Sequence, residues 1–163
     1  MRKTISKTLL ALLLFAVLFA SCNSEVMYDS SSSIAKSQWN MNEAKMFTVK
    51  VSDKDIKRNY RFAINIRNTT DYKYNNIYFF ITTVYPDRSI TKRDTVECIL
   101  AYPDGTWKGK GNSDIKDNRF WFAKNVKFPQ VGEYVFKIEQ ATKDTVLLGV
   151  KDIGLHIEKQ PVE

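Results

Sequence analysis

The sequence predicts an all-β protein with a single antiparallel β-sandwich of jelly-roll-like form. Apolar and polar residues alternate with a period of two in several short segments, which is the pattern of strands that bury one face. Turn residues separate these segments at regular intervals, as they do in β-sandwiches. Beyond residue 21, no segment carries a sustained helical stripe of apolar residues.

The alternation defines the candidate strands along the chain. Phe47, Val49 and Val51 alternate with polar residues, and later segments repeat this pattern. Segment 77–85 is denser in aromatic and β-branched residues, as expected of a central strand covered on both faces. Proline, aspartate and glycine end the strands, for example at 103–105. The predicted strands are 47–51, 60–66, 77–85, 94–102, 119–126, 132–140 and 150–158. We prefer an eight-stranded arrangement.

Residues 1–21 have the features of a secretory signal peptide. Three basic residues precede an apolar run at 9–20, which is shorter than the about 20 residues that a membrane-spanning helix needs. Two small residues stand directly before Cys22 and resemble the lipobox of bacterial lipoproteins, although Phe19 occupies a position where leucine is usual. We expect Cys22 to become the lipidated first residue of the processed chain. The alternative is a secreted protein that is cut after Ser21 and keeps a free thiol.

The rest of the chain divides into a tether and one domain. Residues 22–37 are polar and rich in serine, a composition that buries too little apolar surface to fold by itself. We expect them to form a flexible tether between the lipid and the domain. Residues 38–163 then form the sandwich, at a length at which a core holds without a disulfide.

Charge and cysteine content restrict the partners. The chain has 25 basic and 18 acidic residues, and three of the basic ones lie in the predicted signal, which leaves 22 against 18. No basic run exceeds two residues, so we expect no nucleic-acid partner. If lipid occupies Cys22, Cys98 has no disulfide partner. Cys98 lies in an apolar strand segment, which predicts a buried core thiol.

No constellation of residues indicates an enzyme. The only histidine, His156, alternates with Leu155 and Ile157, which predicts a solvent-facing histidine on a terminal strand. A single histidine gives no zinc-site spacing. The sequence has neither a nucleophile elbow nor a phosphate-binding glycine loop. We therefore expect no catalytic residues, no metal and no cofactor.

Asp114 and Asp117 are two neighbouring acidic residues that could take part in a calcium site. They share the polar loop 111–118 with two asparagines, and calcium takes six to eight oxygen ligands. The spacing is not that of an EF-hand, and Lys116 would oppose the ion. We favour a plain solvated loop over a calcium site.

Two tryptophans are candidate binding residues in a chain that is 13% aromatic. Trp107 lies among three glycines, which permit tight turns and the close approach of another surface. One interpretation makes the indoles of Trp107 and Trp121 an exposed platform for a sugar ring or a protein partner. The other makes Trp107 an aromatic plug that packs the glycine-rich loop onto the end of the sandwich, and we favour it.

Several ordered segments resemble the gliding-motility lipoprotein GldH family of the Bacteroidetes. Residues 67–76 are similar to the family's Arg-Asn-x-x-x-Tyr-x-Tyr-x-Asn stretch. Residues 94–111 resemble its central block, and 128–140 and 149–159 resemble its close. Together with the lipobox, these segments cover most of the chain from residue 39 to residue 159.

The resemblance implies a non-catalytic envelope lipoprotein needed for gliding, in organisms whose motility depends on the type IX secretion machinery. It implies protein partners in that apparatus, a membrane anchor at Cys22 and no enzyme activity. The residues after Cys22 lack the acidic run that commonly sends lipoproteins of this phylum to the surface. We therefore expect a lipid anchor in the outer membrane and a domain that faces the periplasm. The alternative function is a carbohydrate-binding sandwich that uses Trp107 and Trp121.

Two identical tripeptides suggest a modification. Thr95 and Thr145 each stand between an aspartate and a valine. This Asp-Thr-apolar pattern is the one used for O-glycosylation of exported proteins in the Bacteroidetes. We treat both threonines as possible glycosylation sites.

Overall fold

A computed structural model describes residues 25–90, 93–111 and 113–161, and within them the chain folds into strands with a single 3-10 turn at Ala35–Ser37. Most strands alternate buried and exposed residues, as the period-two pattern predicts. The strands are β1 (Val26–Ser33), β2 (Gln38–Asn40), β3 (Lys45–Val51), β4 (Tyr60–Thr69), β5 (Asn76–Val84), β6 (Asp94–Ile99), β7 (Ile115–Val126), β8 (Gly132–Gln140), β9 (Val146–Leu148) and β10 (Val150–Lys159).

The eight longer strands form two four-stranded antiparallel sheets. Sheet I has the order β1-β10-β4-β7 and sheet II has the order β3-β8-β5-β6, while β2 and β9 form a short ribbon. Along the chain, sheet I thus contains the first, eighth, third and sixth long strands, and sheet II the second, seventh, fourth and fifth. This order is that of a jelly roll with two Greek keys. The predicted antiparallel, jelly-roll-like sandwich is confirmed.

The core lies between the inward faces of the two sheets. Ile64 and Leu155 of sheet I and Phe79 and Ile138 of sheet II are each fully buried there. Phe62 joins the layers, since its ring centroid lies 5.6 Å from that of Phe136 on sheet II in an edge-on arrangement. Burial of such side chains is the main favourable term in folding, and it explains why the strands predicted from alternation are all present.

Strand β1 corrects the predicted tether. Residues 26–33 pair with β10 over its whole length from Glu158 to Asp152, so the domain begins at Val26 rather than at residue 38. The tether prediction was wrong for this stretch because composition measures side chains, whereas β1 is held through its backbone. The pairing is close: a Cβ built on Gly154 would lie only 2.8 Å from the carbonyl oxygen of Ser30.

The ribbon of β2 and β9 was also missed. It is three residues long on each side, which is too short for an alternation to be recognised. Trp39 and Leu147 face each other across it, and both are fully buried. The indole Nε1 of Trp39 donates a hydrogen bond to the carbonyl oxygen of Glu43 at 2.7 Å. The ribbon thus seals the side of the core that the two sheets leave open.

The predicted signal peptide and Cys22 lie outside the described residues, so they stay predictions. In the part of the chain that is described, no helix has the length and apolar character needed to cross a membrane.

We predict that alternate backbone amides of residues 26–33 are protected from hydrogen exchange. In an edge strand every second N–H bonds to the neighbouring strand, so these amides should exchange at least about a hundredfold more slowly than in an unstructured peptide. Exchange measured by NMR on the processed chain tests this, with the exposed loop 57–59 as the internal reference. If every amide in 26–33 exchanged at the rate of an unstructured peptide, this segment would be a flexible tether and not a strand.

Candidate functional site

The outer face of sheet I carries the densest set of interacting polar side chains that the structure describes. The register places Asp29 of β1 opposite His156 of β10, His156 opposite Ala63 of β4, and Ala63 opposite Trp121 of β7. The small side chain of Ala63 leaves room between its neighbours, so the rings of His156 and Trp121 meet edge-on at 5.7 Å. The outer cluster, as we call it, consists of Asp29, Arg61, Asn65, Arg119, Trp121, His156 and Glu158.

His156 lies at the centre of the outer cluster and is buried. Its Nδ1 lies 2.9 Å from a carboxylate oxygen of Asp29, and its Nε2 lies 2.8 Å from one of Glu158. The prediction of a solvent-facing histidine was therefore wrong, since only 1% of His156 is exposed. The alternation did identify its face of the sheet correctly. It did not reveal that side chains from three neighbouring strands cover that face.

Both ring nitrogens of His156 face carboxylates. A neutral imidazole donates a hydrogen bond through only one nitrogen, whereas an imidazolium donates through both. Asp29 and Glu158 both accept, so both contacts are hydrogen bonds only when His156 is charged. Arg119 Nη1 lies 3.3 Å from the Nε2 of His156, and it can donate to that nitrogen only when the imidazole is neutral with its proton on Nδ1.

Glu158 connects the histidine to Arg61 and Trp121. The Nε of Arg61 donates to the Glu158 carboxylate at 2.6 Å, and the Arg61 guanidinium lies 4.1 Å from the centroid of the Trp121 ring. Burial acts to raise the pKa of Glu158, but hydrogen bonds from His156 and Arg61 together outweigh it, so the pKa lies below its usual value. Glu158 therefore stays ionised beside the Arg61 guanidinium.

The Arg119 side chain of β7 contacts residues of β4 and β1. Its Nε donates to the amide oxygen of Asn65 at 2.7 Å, and its Nη2 lies 3.4 Å from Asp29. The Arg119 side chain is still 41% exposed, and its surface continues into a groove of about 610 Å³ that Arg67, Lys108, Lys110 and Asp117 also line. The face therefore offers a partner an arginine, a basic groove and a tryptophan edge.

The two candidate tryptophans do not form one platform. Trp107 pairs with Ala101 in an isolated bridge, is half-buried and packs against the core. This is the position that the plug interpretation describes. Trp121 instead lies on the outer face of sheet I, is 36% exposed and is covered on one side by Arg61. A sugar ring therefore cannot stack on both indoles through one shared surface.

The acidic loop closes on its own neighbours. The carbonyl oxygen of Asp114 accepts a hydrogen bond from the Thr70 amide at 2.8 Å, while Asp117 lies in β7 with its carboxylate 3.5 Å from Arg67. Lys116 donates to the Gly111 carbonyl oxygen at 2.6 Å. Within the described ranges, no group of three or more histidine, cysteine, aspartate or glutamate side chains is placed to hold a metal ion.

The remaining candidates lie apart from the outer cluster. Cys98 is fully buried in β6, and burial raises the pKa of its thiol to about 12, so it is a neutral core residue as predicted. Thr95 and Thr145 are both exposed, which leaves their hydroxyls accessible. Their glycosylation stays a prediction.

Sequence reasoning missed most of the outer cluster. Asp29 fell in the predicted tether, and it contacts His156 across 127 positions of sequence. Arg61, Arg119 and Glu158 carry no motif, since each is one polar residue on the outward side of a strand. The available signal was their shared outward position, which becomes informative only when the strand order is known.

Comparison with known proteins identifies relatives that span the whole domain. The protein-family model described as GldH lipoprotein matches residues 26–157. A protein from Christiangramia forsetii, named gliding motility lipoprotein GldH homolog, is 33% identical over 150 residues, which are 88% of this chain and 90% of that protein. Gliding motility lipoprotein GldH from Flavobacterium johnsoniae is 33% identical over 156 residues, with 91% and 94% of the two chains covered.

Among solved structures, an arabinose-bound α-L-arabinofuranosidase aligns with 79% of this chain and 19% of its own. The TM-score is 0.36 and the identity is 10%. A likeness at this level indicates neither a shared activity nor a shared ligand.

We predict that Glu158→Gln lowers the free energy of unfolding by about 1–3 kcal/mol at pH 7, the range for hydrogen bonds to charged groups. The pKa of Glu158 is lower in the folded protein than its ordinary value of 4.5, so its carboxylate stabilises the fold fully above that value. The contribution is lost as the pH falls through the folded-state pKa. The difference between wild type and variant should therefore shrink in acid.

Urea unfolding from pH 7 down to pH 3 measures this difference. Glu133→Gln on the exposed end of β8 is the matched control, with an expected change within about 0.5 kcal/mol. An equal, pH-independent change in both variants would contradict the role assigned to Glu158.

We predict that native protein carries hexose-sized mass additions on Thr95 and Thr145. Intact-mass spectrometry of the protein purified from its own host, compared with the Thr95→Ala/Thr145→Ala variant, tests this. A native mass equal to that of the lipidated polypeptide alone would remove the glycosylation hypothesis.

Proposed function

Because this chain belongs to the GldH lipoprotein family, as the resemblance of its segments predicted, we propose that it is a non-catalytic envelope lipoprotein that serves gliding motility as a structural or assembly component. The observation that carries the proposal is the extent of the match. It runs from the first residue of β1 almost to the end of β10. The whole sandwich is therefore the unit shared with proteins named for gliding motility.

Membership of a lipoprotein family implies a membrane-anchored place in the cell envelope. We infer that the anchor is the lipid on Cys22, that the membrane is the outer membrane and that the domain faces the periplasm. We further infer that the apparatus it serves includes the type IX secretion machinery. The absence of an acidic run after Cys22 supports the orientation.

A non-catalytic role is supported by the state of the only histidine. His156 is buried, and both of its ring nitrogens face carboxylates. General acid–base catalysis requires a group within hydrogen-bond reach of a substrate proton, and this imidazole presents no such nitrogen. The contact between its Nδ1 and Asp29 instead joins β10 to β1.

A role in assembly is supported by the composition of the outer cluster. Tryptophan and arginine are enriched among the residues that dominate the energy of protein interfaces. Trp121 and Arg119 are both partly exposed on the same sheet face, and side-chain contacts already hold them in position. Contacts that are ordered before binding reduce the entropy lost on association, so we propose this face as the contact for a protein partner.

We predict that in-cell crosslinking of a tagged protein, followed by mass spectrometry, recovers gliding or type IX secretion components. Recovery should fade in Cys22→Ala, which lacks the anchor, and fall by roughly tenfold in Trp121→Ala, which removes an interface anchor. Met46→Ala is the matched control, since Met46 is 58% exposed on sheet II and should leave recovery unchanged.

One result would contradict the assembly role, and another would contradict the place proposed for the contact. Recovery of glycan-uptake proteins or polysaccharide alone would replace it with the carbohydrate-binding function. Equal recovery with Trp121→Ala and Met46→Ala would leave an assembly role in place but move the contact away from the outer cluster.

A further inference from the structure

The start of β1 places one end of the sandwich close to the lipid anchor. Three residues separate Cys22 from Val26, and an extended chain spans at most about 3.6 Å per residue, so the gap is at most about 14 Å. A flexible tether up to residue 37 would have allowed roughly 55 Å. The strand thus restricts the anchored domain to positions near the membrane surface.

The elements at this end are defined by the strand register. Val26 pairs with Glu158, Lys159 pairs with Tyr60, and Tyr60 pairs with Val126, so the first residue of β1 lies beside the end of β10, the start of β4 and the end of β7. The Lys159 amide donates to the Glu25 carbonyl oxygen at 2.8 Å. This hydrogen bond holds Glu25, the described residue that directly precedes β1, at the end of the sandwich.

This end of the molecule is basic. Two shallow grooves lie there and share Arg58 and Lys159 in their linings. Their linings contain six basic residues and two acidic ones, Glu25 and Asp55; the basic residues are Lys50, Lys54, Lys57, Arg58, Lys127 and Lys159. We call these six residues the basic end. All except Lys159 are exposed.

The six basic side chains at this end outnumber the acidic ones, which are Glu25, Asp53, Asp55 and Glu133. One oxygen of the Asp55 carboxylate accepts hydrogen bonds from the Ser52 amide and hydroxyl, and the other accepts one from the Tyr60 hydroxyl at 3.1 Å. Among the residues that the structure describes, no carboxylate forms an ion pair with Lys57 or Lys127. Lys57 and Lys127 are also exposed, so both are available to an external anion.

The opposite end of the sandwich has no such excess. Its loops 70–75, 100–114 and 141–145 contain four basic and four acidic residues. There Lys73 pairs with Asp144 at 3.1 Å. The positive charge of the domain is thus concentrated at the end from which the chain leads to the lipid.

We propose that the basic end is a membrane-docking surface that binds the anionic phospholipid headgroups of the bilayer in which the Cys22 lipid is inserted. The inference rests on the proposed anchor at Cys22. A basic cluster near a membrane attracts anionic lipid, and the attraction falls off within a Debye length of about 8 to 10 Å. Because the linker is so short, the basic end reaches this range, and its electrostatic attraction adds to the membrane affinity that the lipid supplies.

Docking of this kind sets the orientation of the domain. The long axis of the sandwich stands away from the bilayer, so the loops at 70–75 and 100–114 become the distal end. The outer cluster then lies on the side of the domain, where a protein partner can reach it. The basic end and the outer cluster therefore serve different partners.

The test measures sedimentation of the unlipidated processed chain, carrying Cys22→Ser, with vesicles. We expect binding to vesicles of phosphatidylcholine mixed with phosphatidylglycerol, little binding to phosphatidylcholine alone, and a loss at high salt. The variant Lys57→Gln/Arg58→Gln/Lys127→Gln should bind at least about tenfold more weakly, since each basic residue near the surface contributes to the attraction. The control Lys36→Gln/Lys110→Gln/Lys143→Gln changes the net charge equally and should bind within about twofold of the parent.

Equal weakening in the two triple variants, or no preference for anionic vesicles, would overturn the proposal. A second measurement uses the lipidated protein in vesicles and compares acetylation of Lys57 and Lys127 with that of Lys110 and Lys143. Protection confined to the first pair supports docking, and equal labelling of both pairs contradicts it.

The anchor itself is tested separately, by detergent phase partitioning of the native protein. Failure to partition would remove the proposed lipid at Cys22, while vesicle binding of the unlipidated chain would still report on the basic end. The two failures are therefore distinguishable.

Discussion

The pairing of β1 with β10 is the constraint on which most other features of this protein depend. It closes one edge of sheet I, so that β10 has a neighbour on each side. The close approach at Gly154 allows the two backbones to meet without a side chain between them. The same pairing brings Asp29 to His156, and it shortens the link between Cys22 and the domain. A protein in which this strand were a tether would lack both the outer cluster and a fixed distance from the membrane.

The charged contacts across this pairing help to specify the register of β1, which the apolar core does not. The hydrophobic pattern specifies the register of a strand that buries one face, but it does so only weakly in a polar strand such as β1, which has no buried residue. The contact between His156 and Asp29 exists in one register only, whereas the contact between His156 and Glu158 lies within β10. Trp121 lies against His156 and Arg61 against Glu158, while the Asp29 side chain remains 47% exposed. The outer cluster therefore specifies the position of a polar edge strand that has little apolar surface of its own.

The surface divides into regions of different chemistry. The outer cluster combines a tryptophan, two arginines and two carboxylates on the flat of sheet I, which suits a protein contact. The basic end consists of separate exposed lysines and an arginine at the tip of the sandwich, which suits a charged surface without a fixed shape. Because the first region lies on a face and the second at an end, a membrane and a protein can be engaged together.

The sequence by itself determined the fold class, the buried thiol of Cys98 and the family. It also determined seven of the strands, and most of their ends to within a few residues. These features follow from local patterns, because alternation reports which side chains face the core and motifs report shared ancestry. The tertiary structure alone decided that residues 26–33 form a strand, that His156 is buried and that Asp29, Arg61 and Arg119 converge on it. Each of these depends on which strands are neighbours. That order is set by contacts between residues far apart in the chain, which no local pattern encodes.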